Sequence, residues 1–161
     1  MSLVYLGLGT NLGNKKQNLL LAMNGISKEI GEVICQSAFY TSKPWGFESE
    51  NNFLNSVVLV ETMLTPMELL IKTQELEKML GRTEKTSHNF ADRTIDIDIL
   101  LYDNLIVNEP DLKIPHQLLH LRDFVLIPLS EIAANVVHPV IGKTIIELHK
   151  MVEGITPSPS R

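Results

Sequence analysis

Residues 53–81 read FLNSVVLVETMLTPMELLIKTQELEKMLG, and the change of rhythm inside them decides the fold. Phe53 to Thr62 is dense in apolar and β-branched residues and reads as a strand. Thr65-Pro66-Met67-Glu68 then supplies an N-cap hydroxyl, a proline at the first helical position and a glutamate placed to close a capping box. Leu69, Leu70, Thr73, Leu76 and Leu80 continue an apolar face at helical spacing, and Gly81 stands where such a helix ends.

Upstream, Val4 to Gly9 reads as a short buried strand, followed by a turn through Asn14. Leu19, Leu20, Met23 and Ile26 recur at helical spacing and predict a helix from Lys15 to Ile30, which Gly25 weakens. Val33 to Ser42 is rich in β-formers and predicts a second strand, and Lys43 to Asn52 a loop. Downstream, residues 82–93 form a polar loop, and Thr94 to Tyr102 predicts a fourth strand turning at Asp103-Asn104. Pro110 and Pro115 bracket an irregular segment, Phe124 to Ala134 and Thr144 to Val152 read as helices, and residues 154–161 as a frayed tail. The order β-α-β-β-α-β with helical additions predicts an α+β, ferredoxin-like sandwich, an antiparallel sheet with its helices on one face.

The chain has 161 residues, with 14 Lys+Arg against 19 Asp+Glu, a net charge of −5. That length fits one domain, taken here as residues 1–161. Apolar residues at 44% and charged residues at 20% are globular proportions and argue against disorder. The acidic balance disfavours a nucleic-acid partner, since phosphate contacts need clustered Lys and Arg. No apolar run reaches the roughly 18 residues of a membrane helix, so no membrane association is expected. The lone Cys35 reads as a small core residue, and a reducing cytoplasm is the expected compartment.

Two glycine motifs fail on spacing. Gly7-Leu8-Gly9-Thr10-Asn11-Leu12-Gly13 has one residue too many for a dinucleotide fingerprint and reads as a strand ending in a tight turn. Gly142-Lys143-Thr144 lacks the earlier glycine of a P-loop, because position 137 is valine. The strongest local signal is residues 93–100, RTIDIDIL. Strand alternation puts Ile95, Ile97 and Ile99 on one side and Asp96 and Asp98 on the other, with the two Cβ atoms about 7 Å apart. Aspartate is a poor strand former, and neighbouring carboxylates repel unless a cation sits between them. Hard oxygen donors without Cys or several His point to Mg²⁺ held together with a phosphate substrate, and two ions could be bridged by such a pair. Arg82 and Arg93 flank a polar loop able to close over a polyphosphate. Gln74 and Glu77 share a helix face, where solvated polarity is the ordinary explanation. Trp45, Phe47, Phe53 and Phe90 in or beside loops suggest a flat-ring ligand.

Five ordered blocks carry a wider resemblance: YLGLGTNLGN (residues 5–14), FYTSKPWGFESENNFLNSVV (39–58), TQELEKMLGR (73–82), DRTIDIDILLYDN (92–104) and IPHQLLHLRDFVLIPLSEIA (114–133). Over about residues 4–150 the chain resembles the 6-hydroxymethyl-7,8-dihydropterin pyrophosphokinase family of folate biosynthesis. The resemblance implies transfer of the β,γ-pyrophosphoryl group of ATP to the hydroxymethyl oxygen of the pterin, leaving AMP. It implies two Mg²⁺ ions on Asp96 and Asp98, with one of these carboxylates placed to accept the hydroxymethyl proton. It implies a pterin pocket of Ser42, Lys43, Trp45, Asn55 and Phe124 with Phe53 in support. It also implies an ATP site of Gln74, Glu77, Ile99, His116 and Arg122, and a phosphate clamp of Arg82 and Arg93. ATP and the pterin are then the partners, and the chain is expected to act as a monomer.

The chain departs from the family pattern at Ala91-Asp92, where Gly-Pro is usual, at Phe90 for a common Trp, at Glu84 for a basic residue and at Gln117 for an aromatic. The alternative function is a catalytically weakened pterin- or nucleotide-binding protein of the same fold.

Overall fold

The computed structural model describes residues 1–45, 49–81 and 94–155. Its elements in chain order are β1 (Ser2–Thr10), α1 (Lys15–Glu29), β2 (Gly31–Gln36), β3 (Tyr40–Ser42), β4 (Phe53–Thr62) and α2 (Pro66–Met79). They continue with β5 (Asp96–Tyr102), β6 (Val107–Glu109), β7 (Leu112–Ile114), a 3-10 turn (Leu119–Leu121), α3 (Asp123–Ala133) and α4 (Ile145–Ile155). Each of the first two helices starts on a side-chain cap that satisfies an otherwise orphaned backbone donor. Asn14 accepts from the Gln17 N–H at 3.1 Å. Thr65 and Glu68 form the reciprocal capping box that the sequence spells out.

Five strands make one antiparallel sheet in the order β2-β4-β1-β5, with β3 also on β4. The stretch read as one strand from Val33 to Ser42 is two, because β2 and β3 share the same edge of β4 and break apart between them. Ser37 fills the break: its N–H donates to Val57 O at 2.8 Å, and its buried hydroxyl accepts from Val57 N at 2.9 Å. The segment read as irregular around Pro110 is a small β6–β7 hairpin.

Alternation sorts the apolar residues into two cores. Val4, Leu6 and Leu8 of β1, Val58 and Val60 of β4, and Ile95, Ile97 and Ile99 pack under α1 and α2. Gly25 lets these two helices close up, since a Cβ there would lie 2.8 Å from Leu76 Cδ2. On the opposite face Tyr5, Val57, Leu100 and Leu101 meet Leu126, Leu129 and Ala133 of α3 and Leu148 of α4. Leu100 and Leu101 both reach this side because the β1–β5 register shifts beside them. The expectation of helices on one face is therefore corrected. The two helices of the βαββαβ part share a face, but the C-terminal helices cover the other, giving three layers. Both sheet faces are apolar over much of their length, so both must be buried. The expected tail also changes: α4 runs to Ile155, and residues 156–161 lie outside the described part.

At the far end of the sheet from β3, Gly31 pairs with Thr62, and a Cβ on Gly31 would fall 2.1 Å from the Glu61 carbonyl oxygen. Gly31→Ala should therefore lower stability by about 1–3 kcal/mol in urea unfolding, the usual cost of overpacking against something that cannot move. Saturated turnover at moderate temperature should be unchanged.

Candidate functional site

The registers bring the acidic pair to a specific place. Asp96 lies opposite Gly9 and Asp98 opposite Gly7 on β1; across the other edge of β1, Gly9 lies opposite Asn55 and Gly7 opposite Val57. Directly paired residues in an antiparallel sheet share a face. Asn55, Gly9 and Asp96 thus form one row across three strands, on the side away from α1 and α2. A Cβ on Gly9 would sit 3.2 Å from Asn55 Oδ1 and 3.6 Å from the Phe53 ring, and one on Gly7 3.3 Å from Leu100 Cδ1. As the strand read over Val4 to Gly9 has it, the turn comes only after Gly7 and Gly9. They lie inside β1 and leave bare backbone as a groove floor between an amide and two carboxylates. The available signal was Gly-Leu-Gly at strand period, with each glycine on the face that carries no core leucine.

Asn55 is buried, with its amide NH₂ donating to Ser42 Oγ at 2.7 Å and to the Tyr40 carbonyl at 3.3 Å. Those bonds orient its carbonyl oxygen toward the groove floor. The loop ahead of β4 is tied to the start of α1, where Asn11 Nδ2 donates to Asn51 O and Lys15 Nζ to Asn52 O at 2.9 Å. Over the floor stands a wall from both ends of the chain. The Trp45 and Phe124 rings are 6.4 Å apart, tilted by 56°, and the Arg122 guanidinium lies 4.7 Å from the Trp45 ring centre and 5.4 Å from that of Phe124. Arg122 is buried at this spot. A cation placed over the faces of two rings at once is attracted by both.

His116 closes the β5 side. Its backbone N–H donates to Leu100 O at 3.0 Å, and its ring Nδ1 accepts from Leu118 N at 3.1 Å. The neutral ring therefore carries its proton on Nε2 as a donor. Burial pushes the imidazole pKa down to about 4, the Arg122 guanidinium adds to this, and Asp96 opposes it. His116, Arg122 and Asp96 are thus electrostatic neighbours.

Other candidates fall elsewhere. The Ile99 side chain is in the core beneath α1 and α2, so only its main chain on β5 is free to face a ligand. The Lys43 side chain is exposed just past β3. Glu77, which the sequence allowed as a solvated helix residue, is buried, and its Oε2 accepts from Ile97 N at 2.8 Å on the outer edge of β5. Gln74 is half-buried one turn earlier on α2. Arg82, Arg93, Phe47, Phe90, Glu84, Ala91 and Asp92 lie outside the described residues. Among the described residues no three of His, Cys, Asp or Glu converge as a ready-made metal site. The carboxylate pair does fit a hard divalent cation, being half-exposed above a floor that a single Cβ would obstruct. At an effective dielectric constant near 20, two charges about 7 Å apart repel by about 2 kcal/mol, which such a cation offsets.

A paired carboxylate, a guanidinium over two rings and a hydrogen-bonding amide across bare backbone are gathered at one end of the sheet. Comparison with known proteins gives the class. Residues 5–134 match the family described as 7,8-dihydro-6-hydroxymethylpterin-pyrophosphokinase (HPPK), and the chain belongs to this family. The 2-amino-4-hydroxy-6-hydroxymethyldihydropteridine pyrophosphokinase of Aquifex aeolicus is 44% identical over 147 residues, covering 91% of this chain and 90% of its own. That of Porphyromonas gingivalis is 44% identical over 135 residues, covering 83% and 92%. Among solved structures, an HPPK-DHPS of Plasmodium falciparum shares the fold with a TM-score of 0.77 at 18% identity. That match covers 94% of this chain, which spans 43% of the Plasmodium chain.

Two outcomes follow from the geometry. Gly9→Val should abolish pterin binding in calorimetry while the protein still unfolds cooperatively, because the added side chain presses on Asn55 and fills the floor. The second concerns pH. The folded value for His116 lies below its ordinary 6.5, so its contribution is fully present above pH 6.5 and is lost as pH falls toward 4. His116→Asn keeps an acceptor for Leu118 N and removes the titration. Between pH 7 and 5 the unmodified protein should lose up to about 2 kcal/mol more unfolding free energy than this variant. Parallel losses would show that His116 is not desolvated.

Proposed function

We propose that the pterin lies on the bare backbone of β1 between Asn55 and Asp96, that ATP lies across the outer edge of β5, and that transfer takes place between them. The chain is an ATP-dependent diphosphotransferase that moves pyrophosphate to 6-hydroxymethyl-7,8-dihydropterin in folate synthesis. The hydroxymethyl oxygen gives up its proton to Asp96 or Asp98 and forms a bond to the β-phosphorus of ATP, the bond from that phosphorus to the α–β bridging oxygen breaks, and AMP leaves.

The row Asn55–Gly9–Asp96 carries this reading. Two strand spacings, about 10 Å, separate the recognising amide from the carboxylate, enough for a bicyclic ring with its hydroxymethyl arm extended. Asn55 and the main chain of residues 42–45 read the polar edge of the ring, while Phe53, Trp45 and Phe124 hold its faces. Asp96 and Asp98 hold Mg²⁺, two ions in this reading, which when bound neutralises charge on the phosphate oxygens. Arg122 and neutral His116 donate to ATP from the groove side. Glu77 and Gln74 border it from α2, and the Ile99 main chain from β5. Arg82 and Arg93 are assigned to the phosphates on the sequence resemblance alone. In-line placement and neutralisation of charge are the main demands of this chemistry, and these groups supply both. The strand order supports a ferredoxin-like arrangement of the βαββαβ part. We take residues 1–161 as one domain acting as a cytoplasmic monomer, since a single chain builds the groove. No described helix is long and apolar enough to cross a membrane.

Release of AMP that depends on added hydroxymethyldihydropterin and Mg²⁺ tests the assignment. Asp96→Asn and Asp98→Asn should each lower turnover at least about 100-fold, in the range seen when one group that stabilises transition-state charge is removed. Pterin binding should persist in both, because Asn55 is intact. Near-normal turnover in either variant would remove that residue from the metal site.

A further inference from the structure

Glu131 is an exposed residue of α3 with none of the roles given above, yet its carboxylate is bonded into the opposite wall of the groove. The Ala38 N–H donates to it, at 3.0 Å to Oε1 and 3.2 Å to Oε2, and the Tyr40 hydroxyl donates to Oε1. Ala38 lies in the break between β2 and β3, where the backbone has left its pairing with β4. Tyr40 opens β3, which pairs with Asn55 and Phe53 and whose Ser42 bonds the Asn55 amide. Glu131 is seven residues after Phe124, so two helical turns bring it to within about 20° of the same helix face, about 10 Å farther along. One face of α3 thus carries a ring of the pocket at one end and the anchor to β3 at the other. Between them Pro128 has no N–H to give the Phe124 carbonyl. The first turn of α3 is therefore less tied to the rest of its helix and depends more on such an anchor.

We propose that Glu131 is a positioning residue that sets the spacing between the β3–Trp45 wall and the Arg122–Phe124 wall, and so the fit of the pterin. The proposal rests on the pocket assignment made above. Leu126, Leu129 and Ala133 keep α3 on the sheet without Glu131. Losing the carboxylate therefore shifts the wall without unfolding the helix, and displacements of an ångström at such a wall cost far more in function than in stability.

The test compares Glu131→Ala, Glu131→Gln, Tyr40→Phe and Asn55→Ala, with cooperative thermal unfolding as the control for folding. Glu131→Ala should raise KM for the pterin about tenfold, leave kcat within about twofold, and leave KM for ATP unchanged. Glu131→Gln retains an acceptor and should recover most of the loss, while Tyr40→Phe should lie between it and Glu131→Ala. Trp45, the only tryptophan in the chain, reports the spacing directly. Its acrylamide quenching without ligand should rise in Glu131→Ala. A normal pterin KM in Glu131→Ala alongside a raised one in Asn55→Ala overturns the proposal and leaves the pocket standing. Equal rises for pterin and ATP also overturn it. A normal pterin KM in Asn55→Ala removes the pocket itself, and this proposal with it.

Discussion

Hydrogen bonding of β1 on both edges is the constraint on which the site depends. Because Ser2–Thr10 pairs along its length with β4 and over most of it with β5, Asn55 and Asp96 are held two strand spacings apart by backbone ladders. Neither residue can drift relative to the other without breaking the sheet. The same strand carries Val4, Leu6 and Leu8 into one core, which leaves its other face to be filled or left bare. Tyr5 fills it under the C-terminal helices; Gly7 and Gly9 leave it bare. The change from Tyr to Gly along one face marks where core ends and groove begins.

The groove then needs walls that the sheet cannot provide. The C-terminal helices supply one by packing on the second face, and α3 begins immediately after Arg122. The residues before β4 supply the other, tied back to the β1–α1 turn through Asn11 and Lys15. Arg122, over the rings of both Trp45 and Phe124, joins the walls where no backbone does. A buried guanidinium is tolerable there because the rings offer it their faces. Burial keeps His116 neutral, with the Arg122 charge adding to the effect, so that imidazole presents a donor at physiological pH instead of adding a second cation.

Much of this was legible along the chain, wherever the signal was local. The capping box at Thr65–Glu68, the glycine after α2 and the alternation through Asp96 and Asp98 each depend on neighbours within a few residues, and each stands as read. The acidic pair could be singled out because aspartates in a strand break a local preference for no local reason. Five separated blocks then pointed to the family, since their order and spacing are properties of the sequence itself.

What the sequence could not supply was the identity of partners across strands and between faces. Gly7 and Gly9 read only as the end of a strand until β4 and β5 are laid on either side, when they become a floor. Glu77 looks like a solvated helix residue until the β5 edge places the Ile97 N–H against it. The second covered face escaped the strand pattern because residues buried on both faces lose their clean alternation, and period alone cannot say what lies above. The sequence by itself determined which segments are strands and helices, where most of them begin, and that two carboxylates share a face. Only the tertiary structure decided what faces those carboxylates, because register and layer packing join residues that are 40 to 90 positions apart, as Gly9 is from Asn55 and from Asp96.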